Sequence, residues 1–153
     1  MKMTLSTKLA CPVEKAWQEV RTVRLLRYVA RPLLAFEPVE PPVWPEDWRA
    51  GDYLARMKFL GILPLGKQWL CASFPAVEGG YCVRDNGHGD LARKWDHCIT
   101  LAPQPDGSTL YTDRVEIEAG LLTPFVWLFA AMFYRYRQGR WRRLVRNEFD
   151  YEK

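Results

Sequence analysis

The last third of the chain restricts the fold most. Residues Ser108 to Ile117 read as a strand, Ala119-Gly120 breaks it, and a long helix follows whose first half is almost wholly apolar. Its second half carries arginine at 135, 137, 140, 142, 143 and 146. A helix so apolar has to cover something. The segments before it read as antiparallel strands, so the surface to be covered is the concave face of a sheet, and the gap between the two is the natural place for a binding site.

The start of that helix has a chemical signature. Thr123 suits an N-cap and Pro124 the first helical position. Phe125, Leu128, Phe129, Met132, Phe133 and Tyr136 then fall on one side at helical spacing, which predicts that this stripe faces the sheet. Beyond Gly139 the stripe shifts to Trp141, Leu144 and Val145, while Arg140 and Arg143 take over the aromatic line. The shift implies either a kink near Gly139 or two halves with different surroundings.

The front of the chain is helical after one strand. Thr4 to Ala10 alternates weakly, and Cys11-Pro12-Val13-Glu14 then places proline and an acid where a helix begins. Val13, Ala16, Trp17 and Val20 mark a buried stripe, and helical pattern resumes through Leu25, Tyr28 and Val29 until Pro32. Whether this is one helix or two, with a break near Thr22, is open at the level of sequence. Pro38, Pro41, Pro42 and Pro45 allow the next segment to be an edge strand at best, then a loop. Five strand-length runs follow, Asp52–Leu60, Lys67–Phe74, Gly80–Asp85, Arg93–Leu101 and Ser108–Ile117, separated by glycine, proline or Asn-Gly. The class is α+β.

At 153 residues, 48% hydrophobic and 14% aromatic, the chain has the size of one domain, 1–153, with a full core. The net charge of +4 comes mostly from arginines between Arg21 and Arg31 and between Arg135 and Arg146, which permits an anionic partner without requiring one. Nucleic acid is the weakest option, because those arginines interleave with packing residues. Met1–Lys8 has no apolar core of a signal peptide, and the run Leu121–Tyr134 is shorter than the roughly 20 residues that span a bilayer. A cytoplasmic protein is expected. Cys11, Cys71, Cys82 and Cys98 show no CxxC spacing and read as reduced, buried thiols; no metal site and no cofactor are expected.

The order of elements, together with Ala10-Cys11-Pro12-Val13-Glu14-Lys15-Ala16-Trp17, resembles the SRPBCC superfamily of START-like, helix-grip domains. Trp95-Asp96-His97-Cys98-Ile99, the pair Gly107 to Val115, and the tip Phe59-Leu60-Gly61-Ile62-Leu63-Pro64-Leu65 are similar to its polyketide-cyclase and coenzyme-Q-binding-like branch. Cys11 and Ala16 depart from the usual pattern, with a small or hydroxyl residue common at the first and a larger aliphatic one at the second. The resemblance implies a curved sheet wrapped round the long helix, enclosing a cavity for an apolar molecule. Members include lipid carriers and polyketide aromatases and cyclases, so fold alone does not give function.

Side chains supply the candidates. Trp95, His97, Ile99 and Leu101 share one strand face, as do Tyr111, Asp113, Val115 and Ile117, and both faces are apolar enough to point inward. A three-residue loop at Pro105-Asp106-Gly107 sets Ile99 opposite Asp113 and leaves His97 on the diagonal. The expected ligand-binding set is Trp95, His97, Tyr111, Asp113, Phe129 and Phe133, around a hydrophobic small molecule such as a lipid, quinone or polyketide. His97 and Asp113 admit three roles: a buried structural pair, a polar anchor for the ligand, or the general acid-base pair of a cyclase-like enzyme. No catalytic residue is assigned, since no nucleophile stands beside a base.

Trp69, Trp95, Tyr111, Phe125, Trp127, Phe129 and Phe133 either line a pocket or fill a solid core. His88 and Asp90, in Asn86-Gly87-His88-Gly89-Asp90, read as a solvated hairpin tip rather than half a metal site. The tip bearing Ile62, Leu63 and Leu65 is apolar where turns are usually polar. It either packs beneath the helix or meets a membrane, a partner or the cavity entrance, and Arg24, Arg27 and Arg31 would assist at anionic lipid.

Overall fold

Two residues fix how the chain turns after its first strand. Pro12 precedes α1 (Val13–Val20), and the Thr22 hydroxyl accepts a hydrogen bond from the Leu25 amide at 3.2 Å to start α2 (Val23–Ala30). The front is therefore two short helices. Each buries one stripe: Val13, Ala16 and Val20 on the first, Leu25, Tyr28 and Val29 on the second. Trp17 is half-buried and stacks on Tyr81 with ring centroids 4.7 Å apart.

The computed structural model describes all residues, Met1–Lys153. Beside the helices its elements are β1 (Lys2–Leu9), β2 (Leu34–Glu40), β3 (Gly51–Phe59), β4 (Leu63–Ser73), β5 (Tyr81–Gly89), β6 (Lys94–Pro103), β7 (Thr109–Glu118) and α3 (Thr123–Arg146). The strands form one seven-stranded antiparallel sheet in the order β1-β7-β6-β5-β4-β3-β2, and α3 packs on it as expected of a helix-grip arrangement. No helix is long and apolar enough to cross a membrane. β2, which contains Pro38, lies at an edge, where a missing amide costs no ladder bond on its open side.

The β6–β7 hairpin closes through Asp106-Gly107, with Gly107 at φ +82° and the Ser108 amide donating to the Asp106 carboxylate at 3.1 Å. Ile99 then faces Asp113, and His97 faces Val115. Residues 86–90 do not form the expected hairpin tip. Asn86 to Gly89 belong to β5, with His88 paired opposite Trp69, and the turn comes at Asp90–Arg93. Gly87 and Gly89 serve close approach rather than turning: a Cβ at either would lie 2.4 or 2.3 Å from a β4 carbonyl oxygen. β4 likewise begins at Leu63, not Lys67.

α3 also departs from the reading above. It runs unbroken through Gly139, and the residue before its first turn is Leu122; the Thr123 hydroxyl instead donates to Gly120 O and accepts from the Ala119 amide, bracing a 3-10 turn at Gly120–Leu122. The face turned to the sheet is Val126, Ala130, Phe133, Tyr134, Arg137, Trp141 and Leu144. Phe125 is 73% exposed, and Leu128 and Met132 are exposed with it. Helical spacing fixes which residues share a side, but not which side meets the sheet.

The core has two parts. Trp141, Leu144 and Val145 pack with Leu9, Leu25, Val29, Leu101 and Tyr111, while Val126, Ala130, Phe133 and Tyr134 pack with Leu34, Val115 and Ile117. The C-terminal tail is tied back through Glu19, a buried carboxylate that accepts from Lys15 at 2.8 Å, from Arg24 at 3.0 Å and from the Tyr151 hydroxyl at 2.5 Å.

Candidate functional site

Between the two parts of the core the sheet does not close on the helices. A part-open cavity of about 120 Å³ remains, with 14 of its 19 lining residues hydrophobic. Leu25 and Leu26 of α2, Phe36, Met57, Leu70, Val83 and Ile99 of the sheet, and Phe133 and Tyr134 of α3 form its apolar walls. Strand parity explains the lining. Gln68, Leu70 and Ala72 alternate inward on β4, Val83 and Asp85 on β5, and Trp95, His97 and Ile99 on β6. On α3, Phe133 and Arg137 are one turn apart and project to the same side.

Five polar residues belong to this lining: Gln68, Asp85, His97, Arg137 and Arg84, the last with its guanidinium engaged by Asp96. The imidazole is held from behind. His97 Nε2 lies 2.7 Å from Asp113 Oδ1, which also accepts the Tyr111 hydroxyl at 2.9 Å, while Asp113 Oδ2 accepts the Gln138 amide at 2.8 Å. Burial lowers the His97 pKa and outweighs the Asp113 carboxylate that would raise it, so the neutral ring donates Nε2–H. Burial works against ionising Asp113, but the donors around it and the Arg137 charge hold its carboxyl below the ordinary value. Burial likewise drives the Tyr111 hydroxyl far up, which keeps it a donor.

Asp85 has fewer partners. Its carboxylate accepts the Cys71 amide at 2.7 Å, yet burial pushes its pKa up to about 7. Arg137 is 7% exposed, forms no ion pair, and its Nε is buried without a hydrogen-bond partner. Gln68 Oε1 is likewise buried and unpartnered. The Arg137 guanidinium stands 5.8 Å from the Tyr134 ring, and the Tyr134 hydroxyl accepts Trp95 Nε1 at 3.0 Å.

The six residues expected round the ligand divide. Trp95, His97 and Phe133 are on the cavity wall. Tyr111 and Asp113 are fully buried behind it, supporting His97 rather than facing the space. Phe129 lies outside the lining, between Phe59 at 5.9 Å and Phe133 at 6.2 Å. Arg137, Gln68, Asp85 and Tyr134 were not singled out from the sequence. The one signal for Arg137 was its place four residues after Phe133; an arginine in an arginine-rich half-helix otherwise reads as surface.

The remaining candidates separate from the cavity. His88 is exposed, and Asp90 is engaged by the Lys67 amide at 2.8 Å, a turn-bracing role. Cys82 and Cys98 are free thiols with sulfurs 3.2 Å apart, and burial with the neighbouring thiol pushes the Cys82 pKa up to about 12. At the hairpin tip Ile62 is 80% exposed and Leu63 is exposed, whereas Leu65 packs against the core. Phe59 meets Phe129, so this tip sits beside the end of α3 that exposes Phe125, Leu128 and Met132.

A family model described as Domain of unknown function (DUF8410) matches residues 7–147. No curated protein sequence matches the chain. Among solved structures, a START superfamily protein from Mycobacterium smegmatis superposes with a TM-score of 0.65 at 13% identity, over 95% of this chain and 97% of that one. The AHSA1 protein from Silicibacter pomeroyi gives 0.62 at 16% identity, over 97% and 99%. A conserved protein from Geobacillus kaustophilus gives 0.63 at 15% identity, over 96% of each. At such identities the likeness concerns the fold, which is START-like.

Proposed function

We propose a function for this chain, which belongs to the DUF8410 family, from its cavity: the noncovalent binding of a hydrophobic small molecule, as a carrier or sensor acting as one domain over 1–153. The observation that carries this is a mainly apolar space left open between the sheet and the helices, beside two well-packed core clusters. Packed interiors rarely leave such voids, and concave, mainly apolar sites with a few convergent polar groups are typical ligand pockets. At about 120 Å³ the space is slightly smaller than the roughly 150 Å³ cavity that admits benzene. The ligand body that enters it is therefore ring-sized or a short chain, and a longer lipid, quinone or polyketide would enter by one end.

Native mass spectrometry of protein from its own cells, followed by thermal shift with the co-purifying molecule, tests the reading. A ligand at about 100 times its Kd stabilises the fold by about 2.7 kcal/mol. An Ala72→Leu variant, which fills part of the cavity, retains the fold and loses that stabilisation. A panel of hydrophobic molecules that leaves the wild type unshifted while a highly charged metabolite shifts it would sink the proposal.

A second reading has one observation behind it. His97 faces the cavity with Nε2 engaged by Asp113, and no hydrogen bond is made by its other ring nitrogen, the arrangement of a general base. A cyclase-like activity would use that nitrogen. Part of the binding proposal is also a peripheral membrane contact through Ile62 and Leu63, joined by the exposed Phe125, Leu128 and Met132.

A further inference from the structure

Arg137 is a cation in a place that does not suit one. It projects from α3 onto the cavity wall, is only 7% exposed, and leaves Nε without a partner. A buried charge that lacks an ion pair or a full set of hydrogen bonds is costly, and it persists where something else satisfies it. Asp113 attracts it across space, but no ion pair or hydrogen bond joins the two, and the carboxylate's direct donors are His97, Tyr111 and Gln138.

We propose that Arg137 anchors the carboxylate of a small amphipathic acid whose apolar body fills the cavity. The inference rests on the ligand-binding reading above and narrows its ligand. Guanidinium is the side chain best matched to a carboxylate, through parallel N–H donors that strengthen in a dry site. One negative charge fits and two do not: the wall offers one unpaired cation, while Asp85 stands on the same lining and Asp113 just behind it. A phosphate dianion would meet both carboxyl groups. Gln68 Oε1, buried and unpartnered on the opposite strand wall, is an acceptor for a hydroxyl or N–H on the same molecule. The volume restricts the apolar body to a ring or a short chain.

Calorimetric titration of the full chain with 3-phenylpropionate and with the isosteric 3-phenylpropanamide tests the anchor. The acid should bind at least roughly tenfold more tightly than the amide. In Arg137→Gln the preference for the acid over the amide should disappear, and Arg137→Lys should retain part of it. The Arg137 Nε–H resonance should move on adding the acid and not on adding the amide; this signal and the wild-type comparison decide the matter even if Arg137→Gln does not fold. Equal binding of acid and amide overturns the anchor and leaves the cavity reading standing, as does an acid preference that survives in both variants. Failure of acid, amide, indole and toluene alike overturns both.

Discussion

His97 Nε2 and Asp113 Oδ1 lie 2.7 Å apart across a diagonal of the β6–β7 ladder, because the hairpin loop pairs Ile99 with Asp113. The distance joins a cavity-wall residue to one behind the wall. Asp113 thus acts on the site through His97, and its larger role is to satisfy three buried donors at once. Predictions for the two residues differ accordingly.

Asp113→Ala removes the acceptor shared by His97, Tyr111 and Gln138. Each stranded donor costs about 1 to 3 kcal/mol, and partial relaxation leaves a total loss of about 3 to 5 kcal/mol. Urea denaturation should show a lower midpoint with an unchanged slope. A loss under about 1 kcal/mol would mean that the network contributes little.

His97→Ala is expected to weaken binding of a hydrophobic ligand by about 1 to 3 kcal/mol, the loss of one polar contact in the site. His97→Gln, which retains a donor for Asp113, should recover part of it. Incubation with polyketide or quinone precursors discriminates the enzyme reading: a product made by the wild type and lost roughly a hundredfold or more in His97→Ala would establish general acid-base catalysis.

Asp85 gives the stability a pH dependence. Burial raises its folded pKa to about 7, above the unfolded value, so the folded state holds its proton longer. The folded protein is therefore penalised above about pH 7, and the penalty shrinks as pH falls towards the unfolded carboxyl range. Asp85→Asn keeps an acceptor for the Cys71 amide and removes the titration. The variant should exceed the wild type by about 2 kcal/mol at pH 8, a discounted figure for a half-buried group, with the gap closing towards pH 4. Denaturation midpoints at several pH values measure it, and a gap independent of pH would contradict it.

Ile62→Ser combined with Phe125→Ser should leave thermal stability within about 0.5 kcal/mol, since both side chains are exposed. If this end of the molecule meets a bilayer, sedimentation with vesicles of phosphatidylcholine and phosphatidylglycerol should fall in the double variant. Equal sedimentation of both proteins would remove membrane contact from the proposal.

Much of the architecture was present in local chemistry. Proline at 12, the Asp106-Gly107 loop and the alternation on β6 and β7 act over a few residues, so they set the start of α1, the hairpin register and the inward parity of His97 and Asp113 without outside help, whereas the break at Thr22 is open in the sequence and settled by its cap on Leu25. Glycine was ambiguous. At 107 it turns the chain, while at 87 and 89 it lets β5 approach β4, and only the neighbouring strand distinguishes the two uses. The azimuth of α3 was likewise beyond reach. Its 3.6-residue period ties Phe125, Leu128 and Met132 to one side and Phe133 to Arg137 on another, but the whole sheet decides which side turns inward. That choice exposed the aromatic start of the helix and buried Arg137 on the cavity wall, so the charge that best defines the candidate site arose from tertiary packing.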